Sequence, residues 1–231
     1  MDFIATANYD WMELLNFAER PFRAKFVPSK IWADLDKYKN DPRGLANYCK
    51  KWRTKIKWID DRRSTQMSRI PIAGEYDYDA RQCIVEIYTK NFSEHKFTDK
   101  LWERFKYRFI QTLMHELIHF MQYDKRGDKI AYRVAPFKRV RSQKKTEERK
   151  YLSDLDEIQA YAHCVYLDIK TSRMKNMPLN DFLQQAKTYS PSYTLTYILK
   201  TFDYDYRNNH AISKLAWHVQ KWDRKYAELI S

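Results

Sequence analysis

The segment Gln111-Thr112-Leu113-Met114-His115-Glu116-Leu117-Ile118-His119-Phe120 sets two imidazoles and a carboxylate in the order H-E-x-x-H. On a helix, residues four apart project from one face, so His115 and His119 can reach a single metal ion at about 2.0–2.1 Å. Glu116 points about 100° round the helix from His115, off that chelate and suited to act as a base on a water held by the metal. A buried helix that merely carries these residues is the plainer reading. With six His in 231 residues, however, the pattern arises by chance in on the order of one such chain in a hundred.

The surrounding sequence supplies the helix that the chemistry needs. Residues 97–122 contain no Gly or Pro, and Leu101, Phe105, Phe109, Leu113, Leu117 and then Phe120 or Met121 recur at steps of three and four. That period predicts an amphipathic helix over 97–122.

The motif resembles that of the zincin metallopeptidases. The metzincin continuation H-E-x-x-H-x-x-G-x-x-H is absent, since His119 is followed by Phe-Met-Gln-Tyr-Asp-Lys-Arg. The closer resemblance is to the gluzincins, in which a glutamate from a helix further along completes the zinc site. Residues 152–167 offer that helix, with Ser153 as predicted N-cap, Asp154 and Asp156 in the first turn, and Leu155, Ile158, Ala162 and Val165 as an apolar stripe. Glu157 opens a Glu-x-x-Ala run ending at Ala160, similar to the third-ligand helix of several gluzincin families. The resemblance therefore implies zinc held by His115, His119 and Glu157. Asp154, Asp156 and His163 are rivals for the third place, and either aspartate could instead orient a histidine. The resemblance also implies peptide hydrolysis by a zinc-bound water that Glu116 activates. Tyr161 is the nearest candidate donor to the oxyanion, with Tyr123, Tyr151 and Tyr189 as alternatives.

Around these helices the chain divides into a helical scaffold (1–60), a small sheet plus the motif helix (66–122), a basic connecting segment (123–150), and the third-ligand helix with further helices (151–231). Together they form one zincin-like domain, 1–231, of mainly helical α+β class. Only three glycines in 231 residues leave little room for the tight turns of an all-β protein. Helices are expected over 9–19, from Ser29 to Tyr38, and from Asp41-Pro42 to Trp52. From about Gln66 the period changes. Met67, Ile70, Ile72, Tyr76 and Tyr78, then the run Gln82 to Thr89, predict a small antiparallel sheet. By comparison with zincins, Ile84 to Thr89 is the candidate edge for an extended substrate. Asn180 is the expected cap of a helix over 182–187, Ser190-Pro191 opens another, and a last one runs from about Asn209 to Leu229. His210 and His218 on it read as surface or packing residues.

The charge is uneven. Between Asp124 and Lys150 eleven Lys or Arg face four acids, a net of +7 out of the formal +13. Most such runs are solvated loops or exposed turns. A pI near 9.5 also fits a polyanionic partner, nucleic acid included, met by Lys138, Arg139, Arg141, Lys144, Lys145, Arg149 and Lys150. No leader or membrane-spanning run is evident, and Cys49, Cys83 and Cys164 are too scattered for a disulfide framework, so a soluble, cytoplasmic protein is expected. A Gly-poor, very basic chain of this kind suits a phage or viral product, a virion component included.

Two functions compete at this stage. The first is a zinc metallopeptidase acting on a protein or peptide. The second is a non-catalytic basic protein, built on the same scaffold, that binds nucleic acid or serves virion assembly. Glu116 favours the first, because a structural metal needs ligands but no base.

Overall fold

The computed structural model describes residues 28–59, 72–88, 98–125, 144–170, 177–186, 188, 192–205 and 207–230. The helix expected over 9–19 and the dense basic stretch 126–143 lie outside these. Among the described residues no helix is long and apolar enough to cross a membrane. The fold is mainly helical α+β, with a small three-stranded sheet ahead of one long helix and a helical C-terminal part.

The first unit comprises the described residues of 12–121. It begins with α1 (Pro28–Leu35), a single 3-10 turn over Asp36–Tyr38, and α2 (Pro42–Cys49). Asp41 caps α2 by accepting from Gly44 N at 2.9 Å, and Pro42 sits at the first helical position, where its missing N–H costs nothing. Strands β1 (Thr54–Ile59), β2 (Ile72–Asp77) and β3 (Gln82–Tyr88) follow, and then α3 (Asp99–Lys125), whose residues 99–121 belong to this unit.

The sheet order is β1-β3-β2. β2 and β3 form the expected antiparallel pair, Gly74 opposite Val85 and Tyr76 opposite Cys83. Their turn is held by Asp77 Oδ1, which accepts from Ala80 N at 2.9 Å, and by Arg81 in the left-handed region at φ 49°. The sheet is mixed, because β1 joins β3 in parallel from Thr54 opposite Cys83 to Ile59 opposite Tyr88. This strand falls in the stretch read from sequence as helical scaffold. Its alternation of Lys55 and Lys57 with Ile56 and Trp58 is the strand signal that was available there. β3 is thus the central strand. Ile84–Ile87 is bonded on both sides and cannot act as the substrate edge, and Thr89 lies outside the described residues; among the described residues the outer strands are β1 and β2.

α3 is the spine of this unit. At 27 residues it is about 40 Å long. Phe105, Phe109 and Leu113 on it are at most 1 % exposed, and they share the core with Ile31, Leu35, Leu45, Val85 and Ile87. Trp102 stacks on Phe105 with centroids 4.9 Å apart. The buried Lys106 ammonium is fully paired, at 2.8 Å from Asp36 Oδ1 and 2.7 Å from Glu103 Oε1, and lies over the Trp32 ring. Asp36 Oδ1 also accepts from Trp102 Nε1 at 2.9 Å.

The second unit comprises the described residues of 122–231. It contains α4 (Lys144–Ser153), α5 (Leu155–Lys170), α6 (Leu179–Gln185), α7 (Tyr193–Thr201) and α8 (His210–Ile230). The break between α4 and α5 falls one residue later than the predicted cap. Ser153 ends α4, donating to Arg149 O at 2.6 Å, and Asp154 caps α5 by accepting from Asp156 N at 2.9 Å. α5 packs along α8; Ile158, Ala162 and Val165 on the one and Ile212, Leu215 and Val219 on the other are buried. The buried Ser192 hydroxyl caps α7 by accepting from Leu195 N and donates to Asp168 Oδ2 on α5 at 2.6 Å. Asn180 does not cap α6, which starts behind Pro178 with no side-chain cap. Asn209 does cap α8, accepting from Ala211 N and Ile212 N.

Candidate metal centre

His115, His119 and Glu116 are each at most 8 % exposed on the buried face of α3. The helix brings the two histidine Nε2 atoms to 3.1 Å, with ring planes at 80°. Two nitrogens each about 2.05 Å from one ion at a tetrahedral angle would stand about 3.3 Å apart, so the pair fits a shared metal without rearrangement. The same separation also serves a ring-to-ring N–H···N bond in the metal-free protein.

Glu157, in the first turn of α5, joins them. One ligand atom from each of His115, His119 and Glu157 lies within 4.8 Å of the others, forming a group that could hold a metal ion. Two imidazoles and a carboxylate form a donor set that zinc accepts, although it does not by itself select zinc over other divalent ions. Among the described residues Asp154, Asp156 and His163 are not part of this group. Asp154 is occupied as the α5 cap, and His163, 1 % exposed, lies edge-on to Trp222 at 4.7 Å.

The last turn of α3 is tied to the first turns of α5. Gln122, three residues beyond His119, donates from Nε2 to Asp156 O at 3.2 Å and to Gln159 Oε1 at 3.0 Å. Nothing in the sequence marked Gln122. A carboxamide one helical turn past His119 is a signal only once its partners on α5 are known.

Two phenols border Glu157. Tyr151, on the last turn of α4, is hydrogen-bonded to Glu157 and Tyr161, and its ring meets that of Tyr161 edge-on with centroids 6.3 Å apart. Burial, and then the Tyr161 and Glu157 charges, push the Tyr151 hydroxyl well above its ordinary pKa. Burial and then Glu157 do the same for Tyr161. Both therefore stay protonated and able to donate. Of the alternatives, Tyr123 is half-buried on α3, and Tyr189 lies outside the described residues.

Glu116 lies against the sheet. Its side chain approaches the backbone of β2 at Gly74, and its charge, after burial, contributes to raising the pKa of the Cys83 thiol on β3. The three cysteines are all free and buried.

Of the seven basic residues considered for a polyanion, Lys138, Arg139 and Arg141 lie outside the described residues. On α4, Lys145 and Arg149 both pair with Asp203, and Arg149 Nε also donates to Thr201 O at 2.9 Å. Part of the basic run is thus committed within the fold. His210 is exposed, while His218 is buried and edge-on to Trp217.

Compared with known proteins, the chain matches no family model, no curated protein and no solved structure.

Proposed function

We propose that the protein is a zinc-dependent metallopeptidase. The observation that carries this reading is the convergence of His115, His119 and Glu157 beside a buried carboxylate, Glu116, that is not a member of the group. His115, His119 and Glu157 would hold the zinc, which when bound supplies Lewis-acid polarisation of a carbonyl and acidifies a water molecule. Glu116 is the general base: it takes a proton from the attacking water and returns it to the leaving amine. Its burial, 4 % exposed, keeps competing water away. Tyr161, held as a neutral phenol, donates to the oxygen on which negative charge develops, with Tyr151 as the neighbour that orients it.

A binding role without catalysis is the weaker reading. It rests on net charge alone, it gives Glu116 no task, and Lys145 and Arg149 are already paired. A salt-sensitive affinity for DNA that survives Glu116→Ala would revive it.

The deciding experiment is elemental analysis beside a peptidase assay, on wild type and on His119→Ala, Glu157→Ala and Glu116→Gln. The expected result is about one zinc per chain in wild type and Glu116→Gln, its loss in the other two, and hydrolysis in wild type only. Absence of metal from zinc-supplied wild type would remove the peptidase reading.

A further inference from the structure

Gly74 lies mid-strand in β2, an outer strand among the described residues, where glycine weakens a strand and usually marks a close approach. The Gly74 φ lies outside the left-handed region, so conformation does not demand glycine. Space does. A Cβ at this position would stand 2.3 Å from Glu116 Oε1, 2.8 Å from Glu116 Cδ and 2.7 Å from Thr112 Cγ2. Ordinary contacts lie at about 3.5–4.0 Å.

The local geometry explains why these residues meet. Thr112, Glu116 and Phe120 are spaced by four on α3 and form one stripe. Gly74 and Tyr76 are spaced by two on β2 and share one face. Tyr76 meets Phe120 edge-on with centroids 5.7 Å apart, which fixes the register and leaves Gly74 opposite Glu116. The missing side chain leaves a notch in the sheet, and the Glu116 carboxylate occupies it.

We propose that Gly74 is a positioning residue for Glu116: the bare β2 backbone seats the carboxylate, and any side chain at 74 drives it out. The seat stands on geometry alone, while its catalytic consequence rests on the reading of Glu116 as the base. Because two of the three colliding atoms, the nearest included, are the end of the flexible Glu116 side chain, the expected cost of Gly74→Ala falls first on the placement of Glu116, with the stiffer Thr112 methyl adding to it.

The test pairs structure with kinetics. Crystal structures of metal-free wild type and Gly74→Ala should show the Glu116 carboxylate displaced by about 1 Å or more; a misplacement of that size can lower kcat on the order of a hundredfold. Zinc content and KM should be unchanged, and Gly74→Ala should add nothing to Glu116→Gln. If Gly74→Ala does not fold, the same comparison is made in Thr112→Ser, which removes the methyl that also collides. A carboxylate that stays in place overturns the proposal, as does undiminished kcat. Displacement in a protein whose zinc-loaded wild type hydrolyses no peptide would keep the seat and overturn the peptidase reading instead.

Discussion

Gln122 donates to Gln159 across 3.0 Å, three residues past His119 on α3 and two past Glu157 on α5. A second bond, to Asp156 O, uses the same nitrogen. These bonds tie Gln122 to the first turns of α5, the helix that carries Glu157. On the proposed reading Gln122 supports the Glu157 helix, and groups that support a metal site typically govern affinity by about 10–100-fold. Gln122→Ala should therefore weaken zinc binding by roughly tenfold or more while leaving the ligands intact. Competition against a chromophoric chelator would measure it, and an unchanged affinity would show that the ligands need no such brace.

Zinc should stabilise the fold, because the donors come from separated parts of the chain. At a hundredfold excess over Kd the gain is about 2.7 kcal/mol. Calorimetry with zinc and with a chelator should show this gain in wild type and Glu116→Gln, and no gain in His119→Ala.

The carboxylate of Asp36, itself exposed, is expected to matter for stability through its buried partners. Asp36→Ala leaves the Trp102 indole N–H without its acceptor and takes one of two carboxylates from Lys106, which is 1 % exposed. The expected loss is about 1–3 kcal/mol in denaturant unfolding, with the metal site unaffected.

Stability should fall on mild acidification, in part through His218. Burial first, and then the Lys221 and Lys214 charges, hold its pKa below the ordinary imidazole value. The unfolded chain takes up this proton near about pH 6.5, whereas the folded chain resists until lower pH. His218 therefore costs nothing above that pH and progressively destabilises the fold as pH drops below it. His218→Gln should flatten the stability profile between about pH 7 and pH 5 relative to wild type. Equal slopes would clear this residue.

The H-E-x-x-H helix and the helix starts at Asp41-Pro42 and about Asn209 were legible because each depends on residues within one or two turns. The helix start at Asp154 was misplaced by one residue because Lys144 to Ser153, a charge run resembling a loop, is a helix. Tertiary partners hold it: Glu148 accepts from Tyr197, and Arg149 bonds Thr201 and Asp203. The position of β3 in the sheet was not readable from its own pattern. An Ile-Val-rich strand looks alike at centre or edge, and the strand that covers it comes from Thr54–Ile59. Gly74 was one of three glycines and passed as an ordinary strand residue, because its meaning lies in Glu116, far along the sequence.

The mixed sheet also orders events during folding. β2 and β3 are joined by a short turn and can pair within about 1–10 μs, as isolated hairpins do. β1 must wait, since its parallel register with β3 requires closing the whole intervening chain from Thr54 to Cys83. The hairpin that carries Gly74 therefore belongs to the early, local part of assembly, and β1 is the late arrival. Substitutions confined to β1 should chiefly accelerate unfolding, and those in the β2–β3 turn should slow refolding.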